Sequence, residues 1–176
     1  MYLIDELVTL RGIEKEDASV LHEMINDPEM EAQVVGWSFP VSMEQQLAWI
    51  NNLQTDKNIR YAVDAGNGIV GTAIISSIDY KNGTANLNIK IAKDQRGHGY
   101  ASHAVKLMIG YCFNELNIHC ITANVIEDNE SSRKLWEKFG FVADGVLRSR
   151  VYKMGKYKDI IAYSLLREEY EKRNWK

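Results

Sequence analysis

The sequence predicts one α/β (α+β) domain spanning residues 1–176, in which antiparallel strands feed a glycine-bearing loop and a helix. Three observations carry this. In residues 86–91, Leu87, Ile89 and Ile91 alternate with Asn86, Asn88 and Lys90, the period of a half-buried strand. From residue 101, Ala101, Ala104, Val105, Met108, Ile109, Cys112 and Phe113 return at helical spacing, so one face of a helix is apolar. Between the two periods lie Arg96-Gly97-His98-Gly99-Tyr100-Ala101.

The remaining elements follow in order. Residues 7–13 read as a first strand. Residues 16–25 read as a helix with Ala18, Leu21, His22 and Ile25 on one face, stopped at Asn26-Asp27-Pro28 because proline cannot continue a helix. Residues 27–41 read as an irregular loop mixing Glu29, Met30 and Glu31 with Trp37 and Phe39, either a binding loop or a plain one whose aromatics cap the core. Ser42 and Gln45 form a capping-box pattern that starts a helix over residues 43–54. Residues 59–64 and 69–78 are strands joined at Ala65-Gly66-Asn67-Gly68, with Asn67 and Gly68 suited to positive φ. Residues 79–83 form a second turn, leading into the strand of residues 86–91. Beyond the 101–113 helix come a strand at 119–126, a short helix capped by Asn129 or Ser131 and closed at Gly140, and strands at 141–151 and 157–166 joined at Met154-Gly155-Lys156. The tail, 167–176, reads as charged and frayed.

Composition narrows the function. A hydrophobic fraction of 45% with 26% charged residues is that of a soluble globular chain. No apolar run reaches the ~18 residues of a membrane span, so no membrane partner is expected. The start lacks a basic segment followed by an apolar one, which points to the cytoplasm. The net charge is -3 with no basic block, which argues against nucleic acid as a partner. Cys112 and Cys120 lie in apolar contexts and read as core thiols, and the four histidines have no metal-ligand spacing, so no metal is expected. His103 reads as part of an exposed polar helix face.

The glycine loop has a physical use. The first N–H groups of a helix lack partners within it and sit at the positive end of its dipole. Gly97 and Gly99 have no Cβ, so an oxyanion can approach the main chain there. Two nucleotide fingerprints do not fit: G-x-x-x-x-G-K-S/T is absent, and Ser102 stands where G-x-G-x-x-G needs its third glycine. By pattern alone the loop is either a phosphate cradle or a tight turn with no ligand.

Arg96, Gly99 and Ala101 match Q/R-x-x-G-x-G/A, the acyl-CoA signature of the GNAT acetyltransferases. Asn129, Ser132, Leu135, Lys138, Gly140 and Phe141 are similar to that superfamily's second CoA-contacting segment. The chain therefore resembles the GNAT N-acetyltransferases over nearly its whole length, in the branch of ribosomal-protein N-terminal, spermidine and amino-sugar enzymes. The resemblance implies a mixed, mostly antiparallel sheet flanked by helices, with a splayed parallel pair formed by the strands at 86–91 and 119–126. It implies acetyl-CoA as co-substrate, an amine acceptor and direct attack, and it leaves a homodimer open. Free main-chain groups of Ile89, Lys90 and Ile91 would hold the pantetheine arm, with the Ile89 N–H as oxyanion donor. Arg96, Gly97, His98, Gly99, Tyr100 and Ala101 would take the diphosphate, and Asn129 and Ser132 would lie beside the cofactor. Glu31 and Trp37 would face the acceptor.

Two departures matter. Trp136 stands where many relatives carry a tyrosine acid, and indole does not supply a proton at these pKa values. Asn86 stands where many carry a glutamate base. The base is left among Glu31, Asp144, Tyr157, Asp159 and a water chain. The acceptor is a small amine, such as a polyamine or an amino sugar, with two alternatives: a protein N-terminus, or loss of catalysis in an acyl-CoA sensor.

Overall fold

The computed structural model describes residues 1–36, 39–53 and 57–173. Its strands are β1 (Leu3–Ile4), β2 (Thr9–Arg11), β3 (Ile59–Asp64), β4 (Ile69–Asp79), β5 (Thr84–Ile91), β6 (Cys120–Ile126), β7 (Val142–Lys153) and β8 (Lys156–Leu166). Its helices are α1 (Ala18–Asn26), α2 (Pro28–Gln33), α3 (Met43–Asn51), α4 (Tyr100–Asn114), α5 (Glu130–Lys138) and α6 (Arg167–Lys172). The strands form one sheet in the order β1-β2-β3-β4-β5-β6-β8-β7.

Neighbours in that sheet are antiparallel except β5 and β6. The exception follows from connectivity, since β5 reaches β6 through the crossover helix α4. Their pairing holds at Thr84–Cys120, Ala85–Ile121 and Asn86–Thr122 and goes no further. Beyond it, β5 stays on β4 as far as Ile91–Gly71, and β6 stays on β8 as far as Ile126–Ile160. The two strands therefore splay, as the resemblance implied.

Both faces of the sheet are covered. On one, Ala85, Leu87 and Ile91 of β5 meet Ala104, Val105, Met108, Ile109, Cys112 and Phe113 of α4, all buried. Each such large side chain contributes roughly 1.5–3 kcal/mol on leaving water. Burial also pushes the Cys112 thiol up to about 12. On the other face, Ala18 and Leu21 of α1 and Ile50 of α3 cover Ala62 and Ile69. Both hairpins form, and the Ser42–Gln45 capping box closes as the sequence indicates.

Five expectations are corrected. The first strand is only Thr9–Arg11, preceded by the unforeseen two-residue β1. Asp27-Pro28 is a helix start rather than a loop entrance: the Asp27 side chain accepts from the Glu29 N–H, and Pro28 occupies the first turn, where a missing N–H costs nothing. Phe39 is 67% exposed and caps no core. At the 65–68 turn, Gly66 and Gly68 take positive φ, not Asn67. The tail is tied down through residue 173: the Arg167 guanidinium donates to the Phe113 and Ile118 carbonyls, and Tyr170 stacks on Phe113 at 4.7 Å. The end of the 43–54 helix lies partly outside the described residues, and α3 closes at Asn51.

Gly140 follows α5 at φ +86, and a Cβ there would meet the Arg173 guanidinium. Gly140→Ala is expected to cost about 1 kcal/mol and lower Tm by roughly 2–4 °C, read by thermal denaturation.

Candidate active site

Where β5 and β6 part, a cavity of about 760 Å³ opens. Strand geometry decides which main-chain groups face it. Asn86 C=O accepts from Ser76 Oγ of β4, and a Cβ on Gly71 of β4 would strike the Lys90 carbonyl. The even residues of β5 therefore turn their main chain to β4, and the odd ones turn toward β6. Ala85 C=O, accepting from Thr122 Oγ1 of β6, fits that alternation. Lys90 is thus corrected: its main chain belongs to the β4 ladder, and only its side chain reaches the cavity. Ile91 C=O accepts from Arg96 Nε at 3.3 Å. Ile89 has its main chain turned into the gap and lines the cavity.

The glycine loop closes one end. Gly97 (φ +83) and Gly99 (φ +87) take the left-handed backbone, and Gly99 is the N-cap of α4. The first intrahelical bonds run from Ser102 and His103 N–H to Gly99 C=O, leaving the amides before them ahead of the helix. Gly97, Gly99, Tyr100 and Ala101 line the cavity, and a Cβ on Gly97 would meet nothing within 4 Å. Arg96 also lines it and is held by Glu29 of α2 at 3.2 Å. His98 is not among the lining residues. It is exposed, its ring stacks on Tyr100 at 5.6 Å, and its Nδ1 lies 3.3 Å from Gln95 C=O.

The facing wall comes from the start of α5. Asn129 Oδ1 accepts from the Ser132 N–H at 3.1 Å and from Ser131 Oγ at 3.0 Å. Its Nδ2 donates to Gln33 C=O at 3.2 Å, which ties the cap to α2. Ser132, Leu135 and Trp136 line the cavity. Trp136 is 3% exposed and packs edge-to-face on Phe141 at 5.0 Å.

The floor is the sheet face away from α4. Asn88 Nδ2 donates to Asn86 Oδ1 and Ser76 Oγ, and Asn86 Nδ2 donates to Thr122 Oγ1, giving one polar row. Lys90 and Arg60 flank it and line the cavity. Burial holds the Lys90 amine below its ordinary value, and neighbouring Lys153 lowers it further. Lys153 is itself buried, bonded to the Glu31 carboxylate and to the Glu31 and Gly36 carbonyls.

The four candidate bases lie elsewhere. Glu31 is engaged by Lys153. Asp144 accepts from Ser164 Oγ at 2.8 Å, and Asp159 accepts from the Ser149 N–H at 2.7 Å in the β7 bulge. Tyr157 is 70% exposed against Tyr152. None of the four lines the cavity, and Trp37 lies outside the described residues. Sequence reading missed the side chains of Arg60 and Lys90. Each occupies a polar position in a half-buried strand, but only the register β3-β4-β5 puts them on one floor. His103 is also corrected: its Nδ1 is hydrogen-bonded to the Asp5 carboxylate and it is partly buried, and with Glu6 these form the one group of three side chains of metal-ligating type among the described residues.

Comparison with known proteins agrees with this geometry. Residues 8–142 match the model of the acetyltransferase (GNAT) domain. The SPbeta prophage-derived uncharacterized N-acetyltransferase YokL of Bacillus subtilis is 31% identical over 171 residues, 97% of this chain and 96% of that protein. The putative ribosomal N-acetyltransferase YdaF of Bacillus subtilis is 28% identical, covering 96% of each. The crystal structure of spermidine N-acetyltransferase from Vibrio cholerae in complex with CoA and spermine superposes with a TM-score of 0.85 at 24% identity, over 95% of this chain and 99% of that one. The family model spans well over half of the chain, and the chain belongs to the GNAT family of N-acetyltransferases, which use acetyl-CoA as co-substrate.

Proposed function

We propose that the protein transfers the acetyl group of acetyl-CoA to the primary amine of a small molecule. The observation that carries this is the Ile89 main chain, turned into a cavity closed at one end by the glycine loop and walled by Ser132 and Trp136. The N–H groups of residues 97–101, with Arg96 beside them, take the diphosphate. The pantetheine arm lies along β5 as an added strand against Ile89 and the Ile91 N–H. Asn129 and Ser132 border it.

The amine nitrogen attacks the thioester carbon; an N–C bond forms, the C–S bond breaks, and one proton leaves the amine while the thiolate takes one up. The Ile89 N–H supports the oxyanion. An alkyl amine of pKa near ~10.4 must first lose its extra proton. No carboxylate lines the cavity among the described residues, so the proton passes to water held by Asn86, Asn88, Ser76 and Thr122. Relatives named spermidine N(1)-acetyltransferase and putative ribosomal N-acetyltransferase support a polyamine or a protein N-terminus as acceptor; the amide-rich floor favours a small amine, and an amino sugar fits it as well.

Thiol release from acetyl-CoA across a panel of amines tests this. Turnover with at least one small amine is expected. Stabilisation by acetyl-CoA with no turnover on any amine or peptide would identify a sensor instead. The exposed edge strand β7, with Val142, Val146 and Leu147 at its surface, suits a second copy of the chain. No helix among the described residues is long and apolar enough to cross a membrane.

A further inference from the structure

We infer that the acceptor is an amine that also carries an anionic group, a carboxylate or a phosphate, held over the floor between Arg60 and Lys90. This rests on the transferase reading above and names its substrate class. The register makes the pair. Arg60 of β3 lies opposite Ile74 of β4, which lies opposite Asn88 of β5, and Lys90 is two residues further along β5 on the same face. Two strands and two residues apart, their Cα atoms are roughly 12 Å from each other, within the combined reach of two long side chains on one face. Both line the cavity with Ile74, Asn58, Asn86 and Asn88.

The charge balance of this lining is one-sided. Its charged residues are Arg60, Lys90 and Arg96, and no Asp or Glu lines it among the described residues. Three acids of the adjoining elements are engaged with other cations. Glu31 holds Lys153, Glu29 holds Arg96 and Lys93, and Asp64 holds Arg11. Arg60 is positioned by Trp49 of α3, whose ring centroid lies 6.0 Å from the guanidinium carbon. Lys90 has no hydrogen-bond or ion-pair partner among the described residues, and it is desolvated beside a second lysine. A polyamine would bring further cations against that wall. An anionic substituent would supply the missing counter-charge to Lys90, with the Arg60 guanidinium beside it adding positive charge. Asn58, Asn86 and Asn88 add neutral donors and acceptors suited to hydroxyl or amide groups between the amine and the anion.

The test compares matched pairs by thiol release: glucosamine against glucosamine 6-phosphate, an α-amino acid against its carboxamide, and spermidine alongside. The phosphate arm and the carboxylate arm separate the two anion types. In at least one pair, kcat/KM for the anionic member is expected to exceed that of its uncharged partner by about 10- to 100-fold, the scale of a charge-assisted contact. In Arg60→Gln that ratio should collapse through KM, and Arg60→Lys should recover part of it, with Tm measured to confirm folding. Turnover of spermidine or the uncharged members at equal or better kcat/KM overturns the inference and leaves acetyl transfer intact. Calorimetric titration of the same amines into CoA-loaded protein decides the case without turnover: tighter binding of an anionic member upholds the anion site even should transfer fail, and equal binding overturns it.

Discussion

Gly97→Ala is expected to raise the KM for acetyl-CoA by about 10- to 100-fold, with a far smaller change in kcat at saturation. Two costs attach to the substitution, and they can be separated. The first is conformational. Gly97 sits at φ +83, where an L-residue loses about 1–2 kcal/mol, so Tm should fall by roughly 2–8 °C. The second falls on the ligand. A Cβ on Gly97 touches nothing within 4 Å in the protein, so in the binding mode proposed above the methyl enters the space of the diphosphate and displaces charge-assisted contacts to the main chain. Gly66 supplies the control. It has nearly the same backbone, φ +91, and the same open surroundings, but lies at the β3–β4 turn away from the cavity. Gly66→Ala should pay a similar stability cost and leave KM unchanged. Equal effects of the two variants on KM, or none for Gly97→Ala, would remove the diphosphate from this loop.

That loop was also the most legible part of the chain. A period of two, a pair of glycines and a period of 3.6 follow one another within residues 86–113, and each maps to local geometry: β5, the left-handed N-cap and α4. The Ser42–Gln45 box is local in the same way. What escaped depends on partners distant in sequence or on signals with two meanings. Asp27-Pro28 ends one helix and starts the next, and proline is acceptable in both roles. The Lys153–Glu31 pair joins residues 122 apart, and His103 meets Asp5 across 98. Neither spacing leaves a trace in periodicity. The main-chain direction of Lys90 follows from which neighbour β5 keeps after Asn86, which is a fact of register. For the same reason the charge of the cavity floor was hidden. The sequence shows Glu29 and Glu31 in the 27–31 region, and the fold pairs them with Lys93, Arg96 and Lys153 rather than aiming them at the cavity.

Trp136→Ala is expected to cost about 3–5 kcal/mol, the range for removing a large buried aromatic, and to lower Tm by roughly 6–20 °C. The indole is 3% exposed and belongs to the main core with Phe139 and Phe141, so its loss leaves a void at the junction of α5 and β7. The Trp136 carbonyl accepts from the Phe139 and Phe141 N–H groups, and those bonds survive any side-chain change. A loss of activity in the alanine variant would therefore say little about chemistry. Trp136→Phe separates the roles. It keeps a ring against Phe141 and a wall on the cavity while removing the N–H. Indole does not release a proton near neutral pH, and the CoA thiolate, with a thiol pKa near ~8.5, leaves without obligatory protonation. So Trp136→Phe should keep kcat within about threefold and leave its pH profile in place, since the expected change is one of packing. Should kcat drop by more than about tenfold with Tm and both KM values held, the indole N–H acts on the reacting atoms, and the departing sulfur is the group within its chemistry to stabilise. Trp136→Tyr places a phenol of pKa near ~10 on the same wall. A rise in kcat confined to that variant would mean that thiolate departure, rather than amine deprotonation through the Asn86–Asn88 row, limits the native enzyme.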